Sequence, residues 1–180
     1  LNPAPATVKF AYIANDSKMG KLEFYADSAL TQLLNNEAEV GKDVYIKAIM
    51  KDGYKVKDIS VKNALDNTEI VSTVGANLYK FTMPEDGVII KVNYEAIEYT
   101  LTIDCAAADD NRIQVKIGNS STSHIVKQGD TLPVPYNTNV QFSMYDTNYR
   151  MVDMTTTVGS VNTTTTNQAF VMPAGNTSVT

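Results

Sequence analysis

Two short stretches, Phe81-Thr82-Met83-Pro84 and Phe170-Val171-Met172-Pro173, decide how this chain of 180 residues is read. In each, apolar side chains at alternate positions can face one core, and Met tolerates an irregular gap there. Proline then ends the strand, because it has no N–H to give to a ladder. Turn-forming residues follow, Glu85-Asp86-Gly87 in one and Ala174-Gly175-Asn176 in the other, and both lead into a β-prone segment. Phe81, Met83, Pro84, Phe170, Met172 and Pro173 therefore form a structural closing motif that occurs twice.

Working outward, the rest of the chain repeats in the same order. Val44-x-Ile46-x-Ala48 has its counterpart in Val140-x-Phe142-x-Met144, and Leu22-x-Phe24 in Ile113-x-Val115. Gly53-Tyr54-Lys55 with Asp58-Ile59 matches Asn148-Tyr149-Arg150 with Asp153-Met154. Period-two alternation recurs in Val8, Phe10 and Tyr12 and in Val88, Ile90 and Val92, with runs bounded by Gly, Asn, Asp or Pro, as half-buried strands require. The expected fold is all-β: two tandem small β-sandwich modules, immunoglobulin-like or β-grasp-like, over residues 1–96 and 97–180. The junction Glu95-Ala96-Ile97-Glu98-Tyr99 has no flexible Gly/Ser linker, which predicts modules placed end to end with restricted hinge motion. Helical spacing of Leu30, Leu33 and Leu34 offers one helix, Ser28 to Glu39, with a short strand and polar loop as the alternative.

Composition narrows the function. Hydrophobic residues make up 43% and charged residues only 19%, the difference being filled by Thr, Asn and Ser suited to polar sheet faces and turns. A net charge of −5 argues against a nucleic-acid partner. The single cysteine, Cys105, cannot form an intrachain disulfide, and no apolar stretch approaches the length of a membrane span. The chain opens without Met, as a processed chain or an excised piece would.

Together, the opening strand Tyr99-Thr100-Leu101-Thr102-Ile103, the Val-x-Ile/Phe-x-Ala/Met strand, the Gly-Tyr turn and the closing Phe-x-Met-Pro resemble the repeat modules of bacterial surface proteins. The nearest type is the divergent internalin-type B-repeat; Phe81-Thr82-Met83-Pro84 matches its closing motif outright, and Phe170-Val171-Met172-Pro173 varies one position. The usual Trp after the Gly-Tyr turn is absent. The resemblance implies an extracellular, cell-surface module, a spacer or fibre building block, with no catalytic residues to carry over.

Candidate chemistry is sparse. His124 and Cys105 are each the only one of their kind, and neither sits in a nucleophile or metal motif. Asp104, Asp109 and Asp110 are the best acidic cluster, a weak calcium candidate with a polar turn as the default. Asn15, Asn119, Asn162 and Asn176 each begin an Asn-x-Ser/Thr triplet, which would matter in a glycosylating host. No constellation joins acid, base and nucleophile, so no enzyme and no cofactor are expected. The expected partners are neighbouring modules, copies of the chain itself, or glycans held by Tyr-rich loops. As a pilus or filament subunit, the chain would polymerise by strand donation from Val8, Phe10 and Tyr12. The second module stops at Val179-Thr180, short of the equivalent of Asn93 to Ala96, so its last strand is expected to be incomplete or borrowed.

Overall fold

The computed structural model describes residues 3–106, 108 and 112–180. It is all-β and divides into two compact units, Leu1–Glu95 and Ala96–Thr180. In the first, the strands are β1 (Thr7–Lys9), β2 (Tyr12–Ala14), β3 (Gly20–Tyr25), β4 (Glu37–Glu39), β5 (Asp43–Met50), β6 (Tyr54–Asn63), β7 (Ser72–Gly75), β8 (Leu78–Thr82) and β9 (Val88–Ala96). Sheet β3-β5-β8-β7 and sheet β2-β9-β6 both contribute to one core, and β1 pairs with β4 beside them. Strands β3, β5 and β8 supply Phe24, Ile46 and Phe81, while β6 and β9 supply Val61, Ile90 and Val92, all buried. Alternation explains this: β5 runs Asp43-Val44-Tyr45-Ile46-Lys47-Ala48, and only its even-numbered side chains are fully enclosed.

The second unit holds β10 (Glu98–Ile103), β11 (Ile113–Ile117), β12 (Ser123–Val126), β13 (Thr131–Pro135), β14 (Asn139–Met144), β15 (Met154–Val158), β16 (Val161–Thr165), β17 (Ala169–Val171) and β18 (Thr177–Val179). Sheets β13-β10-β18-β15-β16 and β12-β11-β14-β17 enclose a separate core of Leu101, Ile103, Val115, Val134, Val140, Phe142, Met154 and Met172. Pro133 and Pro135 lie on β13, an edge strand, where a missing N–H costs no ladder bond. The Thr-rich pair β15–β16 is a largely polar hairpin in which Thr155 and Thr164 face each other with hydroxyls 2.7 Å apart.

The units share their pairing scheme. Strand β3 pairs antiparallel with β5, and β11 with β14; β5 pairs with β8, and β14 with β17. In each unit an early strand lies parallel to the last one, β2 along β9 and β10 along β18. The early strand is continuous in β10, which pairs with β13 on one side and β18 on the other. In the first unit it breaks at Phe10-Ala11, so that β1 pairs with β4 and β2 with β9.

The expected helix from Ser28 to Glu39 is absent. Asp27 organises a loop in its place: its carboxylate accepts the backbone N–H groups of Thr31 (3.0 Å) and Gln32 (2.8 Å) and the Thr31 hydroxyl (2.7 Å). Leu30 takes a left-handed conformation, φ 57°, which no right-handed helix accommodates. The helical leucine spacing defines no buried face, since Leu33 is 66% exposed. Residues Glu37–Glu39 instead form β4.

Candidate functional site: the closing motif and an open cleft

The two Phe-x-Met-Pro motifs occupy equivalent places. Phe81 stands opposite Val44, and Phe170 opposite Val140, across their antiparallel pairs. Met83 exchanges backbone hydrogen bonds with the turn before β5: Gly41 N–H donates to its carbonyl (2.8 Å), and its N–H donates to Lys42 (2.9 Å). Met172 does the same with the turn before β14, receiving from Asn137 (2.9 Å) and donating to Thr138 (2.8 Å). Both turns need a left-handed residue, met by Gly41 at φ 80° and Asn137 at φ 61°. Phe81, Met83 and Met172 are buried, and Phe170 is half-buried, stacked on Phe142 with ring centroids 6.4 Å apart. Pro84 and Pro173 end the motif half-buried.

The segment carrying Val8, Phe10 and Tyr12 is housed within its own unit. Val8 pairs with Ala38 and Tyr12 with Ile90. Phe10 is 7% exposed, its ring 4.8 Å from Phe24 and 6.4 Å from Phe81, both edge-on.

The four Asn-x-Ser/Thr asparagines are exposed. The Asn15 amide is already committed, donating to the Tyr94 carbonyl (2.9 Å) and accepting the Tyr94 N–H (2.8 Å), so a side chain prolongs the parallel pairing of β2 and β9. Asn176 accepts the Thr100 N–H (2.9 Å), Asn162 lies on β16 opposite Thr157, and Asn119 lies in the turn after β11.

Asp104 is exposed and accepts from Gln128 at 3.3 Å; Asp109 and Asp110 lie outside the described residues. Among the described residues, no three His, Cys, Asp or Glu side chains converge on a metal position. His124 is exposed on β12, opposite Val115, and Cys105 is half-buried against the second core. No helix among the described residues is long and apolar enough to cross a membrane.

Sequence reasoning missed a cleft of about 210 Å³ in the second unit. Its walls include Cys105, Met144, Met151, Val152, Met154 and Val179. At its mouth the Arg112 guanidinium lies over the Tyr149 ring, 4.1 Å from its centroid. The methionines read as core filler in one dimension, and nothing in their spacing announces a cleft.

Residues 29–98 match the family model described as the divergent InlB B-repeat domain, a stretch that includes the first closing motif. No curated protein matches the chain. Among solved structures, the chain is similar to the C-terminal fragment of pilus adhesin SpaC from Lactobacillus rhamnosus GG at 10% identity, covering 88% of this chain and 86% of that one, with a TM-score of 0.39. It is also similar to the major pilin from Streptococcus pyogenes at 7% identity, covering 99% of this chain and 97% of that one, with a TM-score of 0.31. Over residues 29–98 the chain is thus similar to a divergent InlB B-repeat domain.

Proposed function

We propose that this chain is a non-catalytic structural module displayed on a bacterial cell surface, where its units serve as a spacer or fibre building block. The observation that carries the reading is the closing motif: the same Met backbone exchange locks β8 to the turn before β5 and β17 to the turn before β14. The chain thus builds one strand-based unit twice. The polar side chains support the same reading. Asn15, Asp27 and Asp43 are occupied in holding strands and turns, Asp43 by accepting from Lys80 (2.9 Å) and Thr82 (2.8 Å). The match over 29–98 to the divergent InlB B-repeat model supports a cell-exterior setting.

The test is immunogold labelling of intact native cells with antibodies raised against the chain. Label on the outside of unbroken cells is expected. Label appearing only after lysis would refute a surface role.

A further inference from the structure

The outer face of sheet β2-β9-β6 carries positive charge that the first unit does not neutralise. Strand β9 is the middle strand of that sheet, and it turns Ile90, Val92 and Tyr94 into the core. The residues between them, Ile89, Lys91 and Asn93, therefore point outward. Ile89 is 39% exposed, and Ile13, paired with Lys91 on the neighbouring β2, is 64% exposed. Two hollows meet at Ile89. One, of about 150 Å³, is bounded by Ser60, Lys62, Asn67, Ile89 and Lys91. The other is a more open depression of about 470 Å³, lined mainly by apolar residues, among them Ala11, Ile13 and Val88.

The lysines of the smaller hollow are uncommitted. Ion pairs in this unit join Lys21 to Glu23, Lys55 to Glu95 and Lys80 to Asp43; among the described residues neither Lys62 nor Lys91 has one. The nearby carboxylates are already in use. Glu69 stands opposite Lys62 in the backbone, but it accepts the Ser60 hydroxyl and the Val61 N–H, both at 2.7 Å. Asp66 accepts the Thr68 N–H (2.9 Å), and Asp58 accepts the Asn93 amide (2.8 Å). In a chain of net charge −5, two ammonium groups and the Asn67 amide thus gather at one hollow beside exposed isoleucines. That set of donors is complementary to a carboxylate, and the apolar neighbour to an aliphatic side chain.

We propose that this face docks a segment of another polypeptide in which an acidic residue and a large aliphatic one stand two positions apart. Alternate side chains of an extended segment fall on one side at a spacing of roughly 6.5–7 Å, which sets them on either side of Ile89. The carboxylate meets Lys62, Lys91 and Asn67, and the aliphatic side chain covers Ile13 and Ile89. A flat anionic surface would answer the lysines alone. Recessed hollows fit projecting side chains, and they decide for a polypeptide. This goes beyond the surface-module reading and does not rest on it, so either can fail without the other.

The experiment titrates the full 180-residue chain with a capped synthetic peptide, Ser-Leu-Ser-Glu-Ser, followed by NMR. Saturable shifts are expected at the backbone amides of Ile13, Lys62, Asn67, Ile89 and Lys91. Affinity should weaken as salt rises from about 50 to about 500 mM. A peptide with Gln in place of Glu should bind about fivefold or more weakly, and so should the double variant Lys62→Gln/Lys91→Gln, whose exposed changes leave the core intact. Ile13→Ser should weaken binding while leaving its salt dependence in place. Absence of saturable binding, or binding indifferent to both charge changes, would overturn the proposal. Without peptide binding, co-sedimentation with phosphatidylglycerol vesicles that the double variant loses would overturn it in favour of a lipid surface. Self-association of the chain, abolished by the same variant, would overturn it in favour of a second copy.

Discussion

Tyr94 is 2% exposed, and its hydroxyl has no hydrogen-bond partner among the described residues. A buried donor without a partner costs stability that an apolar ring of the same shape would not. Tyr94→Phe is therefore expected to stabilise the first unit by about 1 kcal/mol, read by urea denaturation. Burial also pushes the Tyr94 phenol up to about 12, from an ordinary 10.0, with Tyr12 and Tyr79 adding to the effect. The folded unit thus favours the neutral phenol. Its contribution is complete below pH ~10, the unfolded value, and is lost as pH rises toward about 12. Stability of the native chain should fall across that window, and Tyr94→Phe should flatten the fall; an unchanged alkaline limb in the variant would contradict this account.

At the scale of elements, the closing motif ties a buried Met side chain to a reciprocal backbone exchange. Met83→Ala and Met172→Ala each leave a cavity where the ladder ends, at a cost of about 2–5 kcal/mol. Because each Met belongs to a different core, each variant should lower one thermal transition and leave the other in place, as followed by calorimetry. The motif was legible in sequence because alternate apolar residues before a proline have one economical arrangement, facing inward at the end of a strand. The segment around Leu30 was not. Its leucine spacing imitates a helix, while the deciding features are an Asp27 carboxylate that gathers backbone N–H groups and a left-handed φ at Leu30. Neither leaves a periodic trace. The cleft was not legible, because Cys105, Met144 and Met154 come together at it from distant parts of the chain.

On the scale of the whole molecule, two cores built to one pairing scheme account for why composition and alternation sufficed to read an all-β chain. The same scheme determines how each unit answers a load. An early strand lies parallel to the last one in both, β2 along β9 and β10 along β18. When two such neighbours are drawn in opposite directions along their length, their hydrogen bonds strain together in shear instead of opening one by one like a zipper. Stretching single molecules should accordingly give a high, abrupt rupture force for each unit. Asn15→Ala, which removes the side-chain bonds to Tyr94 from that interface, should lower the force of the first unit alone. Under the proposed surface role, a unit pulled along its length would thus resist flow without a disulfide to brace it.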